Sequence, residues 1–552
     1  MLLTLTVFLQ LATAELPPDD RMVGEARNAQ ARFERLRRSL LPLKPHRSAA
    51  GHCDAIMGRI CYWYDSTDVA VEPEHPRVTA ARRELLATLE RVAPADSVDG
   101  WVVGQQIRYL LETGDWETAA RVAERDCDAA RWWCAALLGT ALHVGQRYER
   151  ADSAFNSALR EMSAHQKCEW TDLRIIANRD LAKALESERC DDDTAFVSTL
   201  WKLGQPLWLV SGNDLRSEHF TRHTMAAVFR ESAMPSDMSF GKDWREYVLR
   251  YGWSEWYTRH EPPTSAYVRY EYTGHSRSPS YYFLPDVATS ASALTLASLE
   301  WRLTDSLPRS RYAPRHAKRI SGLPYQLARF PHGDSVLLIA AFDVSDTILA
   351  RDSVRAGVAI WRPGRSASVH AIASQRVTAR VAADTAVVSI EVLGRKTLRA
   401  QRARLPIAPL ECAPSWCLSD ILFVEPQAVD SAPDPDVAAA TALGSPQLQL
   451  GQPLGVYWEL HTGERPGPVD VTLTVTPVRV SRWRRVASSL RLARPATPVR
   501  LQWATVPRRS REAQQVILRL PEDLRGRFRV SLAISRAGQE PLSVQREISV
   551  VR

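Results

Sequence analysis

Apolar positions along the first third of the chain recur at intervals of three and four. The runs RRELLATLERVA and GQQIRYLLETGDWETAARVAERDCDAARWWCAALLGTALHVGQRYERADSAFNSALREM place them on one face of successive helices. Residues 20–195 therefore read as an α-helical domain. Beyond residue 320 the period falls to two. DSVLLIAAFDVSD, RAGVAIWRP, SVHAIASQRVTARVAADTAVVSIEVLG and LSDILFVEP alternate between breaks at Gly, Pro and Asp, which predicts a β-sandwich over 320–425. PQAVDSAPDPDVAAATALGSP, 426–446, reads as a linker rich in Pro, Ala and Asp. GQPLGVYWEL, VDVTLTVTPVRV, QQVILRLP, GRFRVSLAIS and LSVQREISVV predict a second sandwich over 447–552. The intervening 196–315 is mixed. Helix is expected on both sides of a Gly-Asn turn near residue 212, then strands in DWREYVLRYGWSEWYTRHE and SAYVRYEYTG. The expected fold class is multidomain α+β: a helical region, a mixed centre and two C-terminal Ig-like β-sandwiches.

The helical region contains a repeat. LETGDWETAARVAE and LHVGQRYERADSAFNSAL both run helix, Gly, aromatic, then helix with small Ala. Gly114 and Gly145 are 31 residues apart, and Ala119 and Ala151 are 32 apart. Gly ends one helix, the aromatic wedges the turn, and small residues let the partner helix approach. The pattern resembles tetratricopeptide repeats, whose period is about 34 residues. That resemblance implies a surface for partners, here other envelope or secreted proteins or peptides.

The first 14 residues, MLLTLTVFLQLATA, carry no charge and end in a small-x-small site, so they read as a secretory signal peptide over 1–14. The run is too short to span a bilayer, no other segment is long and apolar enough, and no transmembrane segment is expected. Eight cysteines fall into the close pairs Cys53/Cys61, Cys127/Cys134, Cys168/Cys190 and Cys412/Cys417, so four local disulfides are expected. The chain is read as exported to the periplasm, the cell surface or beyond it, where no nucleic acid partner is expected. The formal net charge of +8 is carried almost entirely by Arg. One cluster between 479 and 511 is dense. Its Arg482, Arg484, Arg485, Arg508 and Arg509 make a candidate anion patch, or else the solvent face of a strand pair.

WLVSGNDLRSEHFTRHTMAAVF, 208–229, concentrates candidate chemistry. Asn213 is a helix cap and Glu218 falls in the first turn. His219 and His223 share one face. Glu218 precedes the pair instead of sitting inside it, so this is not the His-Glu-x-x-His zinc motif. Asn213, Glu218, His219, Arg222 and His223 form the candidate polar cluster, with His260, His275 or Glu261 as possible third ligands if a metal is held. Downstream, Trp244, Trp253, Trp256, Tyr257, Tyr267, Tyr270, Tyr272, Tyr281, Tyr282 and Phe283 are either core or a platform for sugar rings or peptide.

FVSTLWKLGQPLWLVSGNDLRSEHFTRHTMAAVF, followed by WREYVLRYG, resembles the GWxTD domain of bacterial secreted proteins. Leu200-Trp201 stand where that family has Phe-Trp, and Gln205-Pro206 where it has Asp-Pro. Asn213, Glu218, Arg222, Ala227 and Phe229 follow in order, and Tyr247, Val248, Leu249, Tyr251 and Gly252 match its hydrophobic strand. The name-giving run is replaced by FGKDWREY, Phe240 to Tyr247, and Trp253 replaces the first Pro of the family's Gly-Pro-Pro. The resemblance implies architecture, not chemistry. The sequence holds no Gly-x-Ser-x-Gly, Walker loop or Gly-x-Gly-x-x-Gly. No catalytic, metal or cofactor residue is assigned and no cofactor is expected. The expected function is an exported, non-enzymatic interaction or envelope-assembly module. Two alternatives are a hydrolase, metal-dependent or not, acting on envelope polymer or peptide around Glu218, His219 and His223, and an anionic-surface binder using the 479–511 arginines.

Overall fold

The computed structural model describes residues 18–44, 53–62, 71–93, 100–186 (except 126 and 128), 190, 194–261, 270–284, 303, 309–413 (except 366, 367 and 373), 416–426, 434–462, 467–478, 498–520 and 525–551. The leader 1–14, Tyr267, Arg482, Arg484 and Arg485 lie outside these residues. The fold is mixed α+β, and the chain divides into two compact units. The first runs to Pro206 and takes in the described parts of Val210–Ala293 and Leu303–Lys318; the second holds Leu207–Leu209 and Arg319–Arg552.

The first unit contains α1 (Pro18–Ser39), α2 (Pro76–Val92), α3 (Trp101–Glu112), α4 (Trp116–Arg125), α5 (Arg131–Val144), α6 (Tyr148–Glu161), α7 (Ala164–Thr171), α8 (Arg179–Ala184), α9 (Ala195–Gly204), α10 (Asp214–Phe229) and α11 (Lys242–Tyr251). Its strands are β1 (Leu43–Lys44), β2 (Ala55–Met57), β3 (Ile60–Tyr62), β4 (Trp256–His260), β5 (Glu271–His275), β6 (Tyr281–Tyr282) and β7 (Arg311–Tyr312). Short turns join α3 to α4 and α5 to α6, so each pair folds back on itself. Gly114 sits in the first turn at φ +81°, a conformation that favours glycine. Gly145 sits in the second, and a β-carbon there would come within 2.3 Å of the Trp116 ring. The aromatic at each turn is buried or half-buried, and Ala119, Ala151 and Ala158 let the helices close on Phe155 and Leu137. Phe220 and Val228 of α10 enter this same core, and α10 packs against α3, α5 and α6. The face that these helices share is thus covered by the chain's own helix.

Residues 242–251, expected as a strand, form α11. Trp244, Tyr247, Val248 and Tyr251 are all buried, and their spacing of three, one and three is that of a helix face. The run YVLRY satisfies both periods, and packing on Met225, Phe229 and Met234 selects the helical one. β4 and β5 then pair antiparallel, giving a three-stranded sheet in the order β1-β4-β5.

The second unit opens with β8 (Arg319–Gly322), β9 (Tyr325–His332), β10 (Ser335–Phe342), β11 (Val354–Trp361), β12 (Ser368–Ile372), β13 (Arg376–Ala382), β14 (Ala386–Gly394) and β15 (Arg399–Ile407). These form a sheet β13-β10-β9 and a sheet β12-β11-β14-β15-β8. Alternate apolar residues of both, among them Leu338, Val358, Val388 and Ala403, meet in one core. There follow β16 (Cys412–Ala413), β17 (Trp416–Leu418), β18 (Leu422–Val424), α12 (Pro435–Ala440), β19 (Gln447–Gln449), β20 (Leu454–Thr462), β21 (Val469–Pro477), β22 (Val499–Thr505), β23 (Arg511–Leu518), β24 (Gly526–Ser535) and β25 (Leu542–Val551). β20 pairs with β17, β18 and β23, and β19-β25-β24-β21-β22 make the facing sheet. So β18, which the sequence places at the end of the earlier β-rich stretch, pairs with the later one. The stretch read as a linker contributes α12, whose Ala438 and Ala439 are buried with Phe330, Ile339, Leu422 and Tyr457. The Gln326 side chain donates to the Phe423 carbonyl and accepts from the Phe423 N–H, each at 3.0 Å. The two β-rich parts therefore share a core.

All four expected cysteine pairs are closed as disulfides: Cys53–Cys61, Cys127–Cys134, Cys168–Cys190 and Cys412–Cys417. They are compatible with an exported protein, because reducing compartments keep such pairs open. No helix among the described residues is long and apolar enough to cross a membrane.

Candidate functional site

Helix α10 is buried on every face, so its polar side chains must find partners inside the protein. Asn213 caps it, its Oδ1 accepting from the Arg216 N–H at 3.0 Å while its amide donates to the Trp201 carbonyl at 2.9 Å. Glu218 and Arg222, one turn apart, form a buried ion pair at 2.7 Å. Arg222 also donates to the carbonyls of Leu249, Arg250 and Arg311, which fixes α10 to the end of α11 and to β7. The second Glu218 oxygen meets His143 Nε2 at 2.7 Å, and His143 Nδ1 meets Ser217 Oγ at 2.9 Å. Burial pushes the Glu218 carboxyl up, but Arg222 and His143 together hold it well below the usual carboxylate range. Burial keeps His143 below the ordinary imidazole value despite Glu218.

Ser217, His143 and Glu218 thus connect like a hydrolytic triad, but the serine is on Nδ1 and the acid on Nε2, the reverse of the usual order. Ser217 and His143 are fully buried, and neither lines the cleft described below.

His219 and His223 stand on a different face from Glu218. His219 Nε2 meets the Trp170 carbonyl at 2.8 Å, and the His223 ring stacks on Trp170 at 5.3 Å. The five residues of the candidate cluster therefore separate into a cap (Asn213), an ion pair (Glu218, Arg222) and a histidine pair. His260 and His275 lie with Thr258 on the β4–β5 sheet. Among the described residues no three His, Cys, Asp or Glu side chains are placed to hold a metal ion. His143, Ser217 and Arg311 escaped the sequence reading. Ser217 lies on α10 itself, whereas His143 and Arg311 reach the cluster across 74 to 89 residues, a separation that leaves no local pattern.

Asp214, at the start of α10, is also fully buried and accepts from the Tyr312 hydroxyl at 2.7 Å. Burial pushes its carboxyl up to about 6, against the Tyr312 bond and His143. Between the ordinary value of 3.8 and about 6 the unfolded chain loses this proton while the folded chain keeps it, so stability falls as pH rises through that window. Asp214→Asn removes the penalty. It is expected to stabilise the first unit by about 1–2 kcal/mol above pH 6 and to be without benefit below pH 4, read by denaturation at stepped pH.

One cleft of about 410 Å³ opens in the first unit. Glu218 and Arg222 face its floor. Its walls are Tyr62, Trp244, Tyr247, Tyr251 and Trp253 on one side and the whole of β5 with its flanks, Tyr270 to Arg277, on the other. Tyr62 and Tyr251 stack at 3.8 Å. Trp244 and Ser236 are 7 % and 8 % exposed, and neither the indole N–H nor the hydroxyl has a partner among the described residues. Near the mouth Glu255 is shared by Arg277 and Arg315, each at 3.0 Å. The aromatic run of the sequence is accordingly divided. Tyr257, Tyr281 and Phe283 are core, whereas Trp253, Tyr270 and Tyr272 face the cleft.

In the second unit Arg508 and Arg509 are exposed in the turn between β22 and β23, and Arg511 is bound to the buried Glu459 at 2.9 Å. No protein-family model matches the chain, and no curated protein matches it significantly.

Proposed function

We propose that the protein is an exported, non-enzymatic interaction module of the periplasm or cell surface, and that it holds a segment of another envelope or secreted protein in the aromatic cleft of its first unit. In this reading the helical hairpins are tetratricopeptide-like, residues 196–315 form a GWxTD-like centre, and the second unit is a pair of Ig-like β-sandwiches. The observation that carries it is the division of labour around α10. The acid and base groups are engaged with one another in a hydrogen-bonded network, while the cleft beside them presents aromatic faces. The partner surface therefore moves from the helical hairpins, whose shared face α10 covers, to the cleft.

A photo-crosslinking residue in place of Tyr270, in living cells, tests this. The expected result is a discrete adduct with one envelope or secreted protein, lost when Trp253→Ala is added. A control position on β24 is expected to give none. The same adducts at both positions, or none at Tyr270, would remove the proposal.

A further inference from the structure

Helix α10 turns a second pair of polar side chains toward α7. His219 and His223 are one helical turn apart, and their rings lie 4.8 Å from each other. His219 is fully buried and His223 is 4 % exposed. Trp170 of α7 meets both: its carbonyl lies 2.8 Å from His219 Nε2, and its indole stacks on the His223 ring at 5.3 Å. The surroundings are aromatic. Trp201 and Phe283 lie against His219, and Trp132 of α5 meets Trp170 edge-on. His223 Nε2 has no partner among the described residues. The charges that act on His223 are His219 on its own helix and Arg245 of α11, and both oppose its protonation. The carboxylates of the neighbouring helices are taken up elsewhere. Glu169 of α7 is paired with Arg245 at 2.7 Å, Asp243 and Glu246 of α11 with Arg59 and Arg250, and Glu218 of α10 with Arg222 and His143.

We infer that α7 is a latch over the two histidines, closed at neutral pH and opened by acid. Its action does not depend on what the cleft binds. Burial holds the His223 imidazole well below its ordinary value of 6.5, and His219 and Arg245 add to the effect. The ring is therefore neutral while α7 is closed. Once α7 lifts away, water reaches the ring and it takes up a proton at the ordinary value. The closed form binds fewer protons than the open one, so its stability is present above 6.5 and is lost as pH falls below that value. α7 is only eight residues long, and its Cys168 is bonded to Cys190, so an opened α7 stays tethered and can close again.

Amide hydrogen exchange of the full chain from about pH 7.5 to about pH 5.5, corrected for the intrinsic pH dependence of each amide, tests this. Expected is a loss of protection in α7 of at least about tenfold for each unit of pH below 6.5, with α1 unchanged. His223→Phe keeps an aromatic ring against Trp170 and carries no proton. In that variant α7 should be as protected as in wild type at neutral pH, and about tenfold of the loss per unit should disappear. Exchange at the imidazole C2 position, read by mass spectrometry on the wild-type chain, needs no variant. It should show His223 resisting protonation until α7 opens. Protection of α7 that does not change with pH, an equal loss in α1, an unaltered response in His223→Phe, or a His223 ring that titrates at its ordinary value while α7 stays protected would each overturn the inference.

Discussion

Arg222→Met is expected to cost the first unit about 3–5 kcal/mol, as removing one partner of a buried ion pair does. The substitution leaves the largely buried Glu218 without its cation and the carbonyls of Leu249, Arg250 and Arg311 without their donor. Arg222→Lys should recover little, since a single ammonium cannot reach an acid at one end and three carbonyls at the other. Combining Arg222→Met with Glu218→Gln should recover part of the loss, because the uncompensated charge is gone. Amide hydrogen exchange along α10 reads these values locally and does not require the two units to unfold together. Wild-type protection of α10 in the variant would mean that the network does not hold the helix.

Arg404→Met should cost the second unit a similar 3–5 kcal/mol, read from amide exchange in β14. Arg404 and Glu391 are wholly buried and 3.0 Å apart. Glu391 also accepts from Ser389 Oγ at 2.6 Å and from the Leu209 N–H at 2.9 Å, and the Arg404 guanidinium lies 4.1 Å from the Trp208 ring centre. This pair anchors Leu207–Leu209 to the second unit. Burial pushes the Glu391 carboxyl up, but Arg404 brings it below its ordinary value. Its stabilisation is therefore present at neutral pH and lost as pH falls below the ordinary value of 4.5. Without Arg404 the carboxyl takes up its proton more readily, so the gap between variant and wild type should narrow on acidification. A gap constant with pH would assign the loss to packing against Trp208 instead of charge.

Much of the architecture is legible in short stretches of sequence. The Gly114 and Gly145 spacing marks two helical turns because each glycine does a local job, one at positive φ and one beneath Trp116. Asn213 announces α10 because a cap acts within three residues. The close cysteine pairs could be matched by proximity alone. Other features misled for a physical reason. Residues 242–251 fit helix and strand periods alike. The 426–446 stretch has the composition of a spacer, yet its alanines suit it to a crowded core.

What the sequence determined by itself is what neighbours a few residues away set: most of the helices and strands, the caps, the turns and the sulfur pairing. What the tertiary structure decided is the company each polar group keeps. Glu218 and His219 are adjacent in the chain, but α10 sends one to Arg222 and His143 and the other to Trp170. Burial compels each to satisfy itself with whatever distant segment packs there. That choice, made across 49 to 75 residues, is what draws Glu218 and His219 apart and fixes α10 to the segments packed against it.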